Sequence, residues 1–587
     1  MTVRITGNDY RTLTPPPLGE WTPSLRVSVV VPAYGGQDKL DLVLAGLAVQ
    51  TYPAALTEVV VVDNGSEPPL RLPELRPGNT RLITCSVPGR AHARNAGLAA
   101  ATGDVIHWLD SDVILDRRSV EAHMRWHHAA PYLVVTGYLR FTPAKPPAPD
   151  VVAATDDLAG LFEPAEPHAW LVDLIERTDG LTTRPHRAFS LHVGGATSVN
   201  AALLAQAGPM DTELVLGQDT EMGYRLAQAG AVFVPEPLSR AFHLGPTMRM
   251  RDKASIDRVS HAFVADRIPS YRWLRSHPAR QWKVPYVEVV VEPPAGGAGG
   301  PAAADADGRT AAGGTPPAGD PGGRTAGYAY DEVRATVDAV LAGTVPDVVV
   351  TLTGPWDRVG AEGRAPLDDP DLDLVLVRGH YAHEPRVRFV PGEAPPAGAV
   401  PYRLRLPVGW VPGEDTLARL LDLAGDEEYG LVCVLLSEGG GDAVPGVVAA
   451  RLERTAAFAR AAIVREEGED LDDAVENTFG VIWVDGESHG FTREARPPAG
   501  RRSAYRARAE AEAEVARLTK EAERLRGQVA RWREEAGRWR RSAVELRREV
   551  GELRREAAAL RKELAAARKI VQYGLLTSVK RAITRRR

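Results

Sequence analysis

Residues 104–115 read DVIHWLDSDVIL. An apolar run of strand length ends in two acids around one serine and then turns apolar again. Acids are poor strand residues, so packing gives no reason for Asp110 and Asp112 to stand together there. At the carboxyl end of a strand in an open α/β sheet, side chains face the crevice where such sheets bind ligands. Two carboxylates supply hard oxygen ligands, too few for a closed protein cage. That number suits Mg²⁺ or Mn²⁺ whose shell is completed by water and substrate phosphates. The same triplet also reads as a solvated loop, or as a cap for a helix that starts near Arg117.

The neighbouring sequence supplies the sheet. RVSVVVPAY (26–34), EVVVVD (58–63) and YLVVTG (132–137) are almost wholly apolar, as strands buried on both faces should be. Helical stretches lie between them, KLDLVLAGLAVQ and RAHARNAGLAAATG. This alternation predicts an α/β domain over 26–292 around a mostly parallel sheet. Residues 1–25 form an N-terminal extension without the apolar middle of a secretory signal.

Residues 293–327 are rich in Gly, Pro and Ala and hold almost nothing that could be buried, so they read as a disordered linker. From 328 to 492 a second, smaller α/β domain is expected. Its strand candidates are PDVVVTL, LDLVLVRG, YGLVCVLL and FGVIWVDG, and its helices include DEVRATVDAVLAG and TLARLLDLAG. Over 503–569, Val515, Ala522, Val529 and their successors recur every seven residues, with Leu518, Leu525, Trp532, Trp539 and Leu546 three residues behind. That is the seam of a long coiled coil, with self-pairing the expected partnership. The end, IVQYGLLTSVKRAITRRR (570–587), mixes apolar and basic residues. It reads either as a docking surface for an anionic membrane or as the frayed, solvated end of the coil.

The 587 residues carry a net charge of −6 and only two cysteines, Cys85 and Cys433. No disulfide framework is expected. No apolar run approaches 18 residues, so no spanning helix is expected. The expected setting is cytoplasmic, with peripheral contact at the inner face of a membrane through the tail. No nucleic-acid module accompanies the basic tail.

Six motifs follow one another over about residues 26–245: VSVVVPAY, VVVDNGS, ARNAG, GDVIHWLDSD, GQDTEMGYRLAQAG and finally His243. In this order and spacing the chain resembles the family 2 inverting glycosyltransferases of the GT-A fold. Two departures stand out. Gly35 replaces the family's usual Asn, and Gln218-Asp219 replaces its usual Glu-Asp.

The resemblance implies a nucleotide-diphosphate sugar donor, UDP favoured, and an acceptor that is a glycan, a lipid or another molecule. Pro32, Ala33 and Tyr34 would line the nucleotide base. Asp63 would accept a hydrogen bond from base or ribose, or else hold an Asx-turn before Gly65. Arg94, Asn95, Asp110 and Ser111 would serve the donor. Asp110, Asp112 and His243 would hold Mn²⁺ or Mg²⁺, although His243 also reads as a core histidine. Asp219 would be the general base, a role compatible with its place at a helix start. Gln218 and Glu221 would lie on the acceptor side, and MRMRDK (248–253) would close over the diphosphate as a basic lid.

The segment 328–492 has no acid triplet after a strand, and its opening echoes that of the first domain, as a degenerate GT-A copy would. The work implied is cell-surface polysaccharide or glycoconjugate synthesis. Two rival readings are a sugar nucleotidyltransferase and a coiled-coil scaffold with an impaired transferase domain. The first would want a Gly-rich, Arg/Lys-bearing loop after the first strand, and VPAYGGQDKL has no Arg before Lys39.

Overall fold

A computed structural model describes residues 3–143, 145–183, 185–275, 280–292, 328–359, 367, 369–426, 428–436, 448–493 and 501–584. The chain divides into two compact units, Met1–Ala495 and Arg496–Arg587.

The first unit holds two sheets. Strands β1 (Val27–Ala33), β2 (Thr57–Asp63), β3 (Thr80–Thr84), β4 (Val105–Leu109), β5 (Val113–Leu115), β6 (Leu133–Thr142), β7 (Glu166–Pro167), β8 (Ala196–Asn200) and β9 (Val232–Leu244) form one. Its order is β3-β2-β1-β4-β8-β6-β9-β5, with β7 beside β6. Every residue of β2 and β4 is buried, which explains their unbroken apolar character. The sheet is mixed, which corrects the expectation of a mostly parallel one. Strands β3 to β4 run parallel, whereas β8 opposes both β4 and β6, and β5 opposes β9. Strands β6 and β9 run parallel to each other.

Strands β10 (Val287–Glu292), β11 (Val348–Gly354), β12 (Val387–Pro391), β13 (Tyr402–Pro407), β14 (Leu431–Leu436), β15 (Val448–Arg454) and β16 (Val481–Asp485) form the second sheet. Its order is β12-β11-β10-β13-β15-β14-β16. β10 lies at its centre, paired with both β11 and β13. The domain boundary therefore falls before Val287 rather than after 292, and residues 293–327 interrupt the second domain instead of preceding it. The linker expected there lies outside the described residues.

The two sheets share one topology. Laying β10–β13 on β1–β4 and β14, β15, β16 on β6, β8, β9 reproduces every neighbour and direction among those strands, and β5 and β7 have no counterpart among the described residues. In both sheets a helix follows the antiparallel strand directly, Ala201–Ala207 after β8 and Thr455–Val464 after β15. The echo in sequence is thus a repeat in fold. One strand expectation is corrected: LDLVLVRG is the helix Leu372–His380. Leu374 and Val377 are buried while Val375 and Leu376 are exposed, a three-residue spacing that suits a helix and not a strand.

The repeats lock together through Arg460, on the helix after β15. Its guanidinium is fully buried and donates to the carbonyls of Ile5 (3.0 Å), Gly7 (2.8 Å) and Ala231 (2.7 Å), and to Gly230. The N-terminal extension is part of this joint, since Asn8 exchanges two hydrogen bonds with the Phe233 backbone, at 2.9 and 2.7 Å. Burial lowers the Arg460 pKa to about 10. Gly230 and Ala231 follow the helix Gln218–Gln228, so Arg460 sits at that helix's negative end.

Among the described residues the second unit contains one helix, Arg501–Thr584, of 84 residues. It starts near the predicted coil and continues through most of the segment read as a tail. Its large seam residues are all exposed, from Val529 at 41% to Trp539 at 70%. The side chains beyond Val571, and residues 585–587 entirely, lie outside the described residues, and with them most of the basic tail.

Candidate active site

A cleft of about 770 Å³ opens at the carboxyl ends of β1 and β4, where the sheet changes from parallel to antiparallel. Pro32, Ala33, Tyr34, Arg94, Asp110, Ser111, Asp112, Gln218, Asp219 and His243 all line it. Tyr34 stands 74% exposed at its rim. The acids reach the cleft because β4 ends at Leu109, so Asp110 is the first residue free of the strand. β5 then pairs antiparallel with β9, Val113 opposite His243, and Leu244 donates its N–H to the Asp112 carbonyl at 2.9 Å. That register sets His243 beside Asp112 across 130 residues of intervening chain.

Two clusters of charge result. In the first, Arg94 from the helix Arg90–Ala100 lies between two carboxylates. Its Nη2 donates to Asp110 Oδ1 at 2.7 Å and its Nη1 lies 3.5 Å from Asp219 Oδ1. The Arg94 side chain is only 6% exposed. Burial works against its charge, yet Asp219 and Asp110 outweigh burial and raise its pKa. For Asp110 burial dominates and pushes the carboxyl up, opposed by Arg94 and aided by Asp219 and Asp112.

Gly194 makes this packing feasible. A Cβ there would stand 2.1 Å from Arg94 Nη2 and 2.8 Å from Asp219 Oδ1. His192, buried and kept neutral by burial, donates from Nδ1 to the Asp219 carbonyl at 2.8 Å and steadies the first helical turn. Asp219 Oδ1 has no hydrogen-bond partner, since the Arg94 contact is an ion pair without hydrogen-bond geometry. The side chain is 38% exposed, which keeps it open to the cleft.

In the second cluster, His243 Nε2 lies 3.5 Å from Asp112 Oδ1. His243 Nδ1 sits 2.8 Å from the Gly245 carbonyl, which can only accept. That contact places the ring proton on Nδ1 and leaves a lone pair on Nε2, as in a histidine prepared to bind a metal. Lys39 Nζ is 3.3 Å from Asp112 Oδ2 and 3.4 Å from the Leu244 carbonyl. Asp110 does not join this pair, because Arg94 holds it. Among the described residues no group of three His, Cys, Asp or Glu is arranged to hold a metal. Of the three expected ligands, Asp112 and His243 lie together, while Asp110 pairs with Arg94. Asp112 and His243 fit a divalent ion whose other positions go to water and phosphate oxygens.

Several expected site residues work elsewhere. Asp63 is 4% exposed and does not line the cleft. Its two oxygens accept the backbone N–H groups of Ser66 (2.8 Å) and Leu70 (3.0 Å). Burial alone would raise its pKa, but these bonds hold it below the ordinary value. It shapes the turn that presents Asn64 to the cleft. Asn95 exchanges two hydrogen bonds with the Met210 backbone, at 2.9 and 2.8 Å. Glu221 turns from the cleft and pairs with Arg225 at 2.6 Å. Gln218 lines the cleft, yet its amide donates to the carbonyls of Leu214 and Val215. From the basic MRMRDK segment, Met248, Arg249 and Arg251 line the cleft.

The sequence reading missed Lys39 as a site residue, along with Gly194, His192 and Asn64. The pair Gly194-Gly195 before a strand was the one visible signal, since adjacent glycines often mark a close backbone approach.

The family model "Glycosyl transferase family 2" matches residues 28–148. The first repeat thus carries a family 2 glycosyltransferase domain, and the matched segment holds Arg94, Asp110 and Asp112. The pre-mycofactocin glycosyltransferase of Mycobacterium tuberculosis is 28% identical over 235 residues, covering 39% of this chain and 44% of that protein. The chondroitin synthase of Escherichia coli is 23% identical over 401 residues, covering 62% of this chain and 50% of that one. The chain spans about half the length of the curated relatives it matches. Among solved structures, the mannosyltransferase PcManGT from Pyrobaculum calidifontis, in complex with GDP-Man and Mn²⁺, aligns at a TM-score of 0.28 and 20% identity. It covers 42% of this chain and 65% of that one.

Proposed function

We propose that the chain transfers a sugar, with inversion, from a nucleotide-diphosphate donor to a hydroxyl acceptor, and that Asp219 is the general base. The observation that carries this is the convergence in one cleft of Asp219, the Arg94–Asp110 pair and the Asp112–His243 pair. The acceptor oxygen forms a bond to the anomeric carbon as the bond to the diphosphate oxygen breaks. The hydroxyl proton passes to Asp219, and the electron pair leaves with the diphosphate. Arg94 holds Asp219 in place while leaving part of that carboxylate open. Tyr34 at the rim offers a ring face to the base. Arg90, Arg249 and Arg251 line the same cleft and supply positive charge toward the phosphates.

Asp112 and His243 would hold Mn²⁺ or Mg²⁺, which when bound neutralises charge on the leaving diphosphate. UDP is the favoured carrier, from the family resemblance. The second repeat is assigned no chemistry of its own. Where β4 is followed by Asp110-Ser111-Asp112, β13 ends in Pro407 and is followed by Val408-Gly409. Its contribution is to hold the far end of the Asp219 helix through Arg460.

The rod at the C-terminus self-associates in this reading, and its basic end meets an anionic membrane surface. Among the described residues no helix is long and apolar enough to cross a membrane. The setting is cytoplasmic synthesis of a surface polysaccharide or glycoconjugate. The test is nucleoside-diphosphate release by the full chain from a panel of nucleotide sugars with Mn²⁺. Release from one donor that is lost in Asp219→Asn and Asp112→Ala is the expected result. No release and no binding of any donor, with or without metal, would overturn the assignment.

A further inference from the structure

The C-terminal helix specifies the geometry of its own pairing as well as the fact of it. Up to Leu560 its seam alternates Val or Ala at one core position with Leu or Trp at the other, and the last heptad reverses this with Leu564 and Ala567. The residues flanking that seam are sorted by sign. On one flank Arg occupies heptad after heptad, including Arg526, Arg554, Arg561 and Arg568. On the other, Glu521, Glu549, Glu556 and Glu563 recur at the same period, with Gln528 and Ser542 as neutral exceptions. Flanking charges of this kind select partner and orientation in a coiled coil.

We infer that residues 515–568 pair with a second copy of this chain as a parallel, in-register, two-stranded coiled coil. In that arrangement the acidic flank of one copy meets the basic flank of the other. Glu521 faces Arg526 of the second copy, Glu549 faces Arg554, Glu556 faces Arg561 and Glu563 faces Arg568, and each contact occurs twice by symmetry. An antiparallel pair would bring the Arg flank against the Arg flank and the Glu flank against the Glu flank, with like charges in contact except around Gln528 and Ser542.

Two further observations agree. Arg526, Arg554, Arg561 and Arg568 make no ion pair among the described residues, so they are free for a partner. Size is also matched along the seam: Trp539, the most exposed large seam residue, stands between Ala536 and Ala543. Small residues on either side leave room for two indoles at one level. Val with Leu at the alternate core positions favours two strands over three. This inference deepens the self-association proposed above and is independent of the transfer chemistry. Its consequence is that both copies enter the rod at the same end.

The experiment uses the full chain. Cys85 and Cys433 are buried, so a cysteine introduced by Val515→Cys is the reactive one. Solution mass by light scattering should be that of two chains, and mild oxidation should convert the V515C protein to a disulfide-linked pair. Antiparallel strands would hold the two introduced thiols roughly 70 Å apart. A single-chain mass would remove the self-association as well as its geometry. A two-chain mass with no V515C cross-link, but with cross-linking between V515C and L564C copies, would overturn the orientation alone. A three-chain mass would overturn the two-stranded form. Reversing one flank (E549R/E556R/E563R) should weaken self-association at least about tenfold, and mixing with R554E/R561E/R568E should restore it as a heteropair. Equal association by all these variants would refute the charge argument.

Discussion

Gly194→Ala is the sharpest test of the proposed site, because it adds one methyl group and no charge. The added Cβ would lie 2.1 Å from Arg94 Nη2, and ordinary contact begins near 3.4 Å, so the guanidinium must retreat by about 1.3 Å. It retreats from Asp110 Oδ1, to which it now donates at 2.7 Å, and from Asp219 Oδ1 at 3.5 Å. The new methyl also presses on Asp219 itself, at 2.8 Å. A displacement of about 1 Å in a catalytic group costs on the order of 100-fold in rate, or about 2.7 kcal/mol of barrier. The expected result is a fall of that order in kcat for nucleoside-diphosphate release, with donor KM changed much less. Gly195→Ala is the graded control, because its Cβ would stand 3.3 Å from Asp110 Oδ2 and needs only a few tenths of an ångström of adjustment. It should lose roughly tenfold or less. Melting curves for both variants separate misfolding from misplacement. A Gly194→Ala enzyme that melts like the parent and keeps kcat within about threefold would refute the claim that Arg94 positions Asp219.

Other outcomes follow from the same geometry. His243→Ala should abolish Mn²⁺-stimulated release and weaken Mn²⁺ binding measured directly, by about 10- to 100-fold. Glu221→Gln should leave donor release unchanged while lowering stability by about 1–3 kcal/mol, since Glu221 serves Arg225 and not the cleft. Burial lowers the pKa of His107 to about 4 and of His127 to about 3, and drives His123 down as well. Unfolding frees these rings to protonate near pH 6.5, so the unfolded state binds more protons below that value. Stability should be full above pH 6.5 and fall as pH drops toward 4 and 3. At pH 5 the loss is about 2 kcal/mol each for His107 and His127, visible in denaturant unfolding at pH 7 and pH 5. A flat stability over that interval would mean that the rings reach solvent. Arg460→Leu should cost about 3 kcal/mol or more, because four buried carbonyls lose their donor. It should also lower kcat through the Asp219 helix, and an unchanged kcat would detach the second repeat from catalysis.

Much of the architecture was legible in the residues themselves. Unbroken apolar runs located most strands, because a strand covered on both faces needs apolar side chains at every position. The seven-residue recurrence located the long helix, because only a helix that supercoils keeps that period. The acids after β4 pointed to the cleft, since strand packing gives no reason for them, whereas Asp219 stood out only through the order of the motifs, because an acid in a first helical turn is ordinary. Local rules misled at Leu372–His380, where branched apolar residues resemble a strand until burial reveals the helical spacing.

The remainder depended on pairings between distant segments. The assignment of β10 to the second sheet required β11 and β13 as partners, and nothing within Val287–Glu292 distinguishes one sheet from the other. Asp63 holds the local turn that its sequence left open as the alternative, whereas the polar atoms of Asn95 are claimed by the Met210 backbone, which only the folded chain brings close. Asp110 and Asp112 look equivalent along the chain. Folding gives one to Arg94 and the other to His243, because β5 turns back against β9 and the Arg94 helix packs against β1 and β2. Residue types and periodicity are written locally and so can be read locally. That Asp219 meets Arg94 and His243 meets Asp112 is decided by contacts between segments more than a hundred residues apart, and no local pattern encodes those.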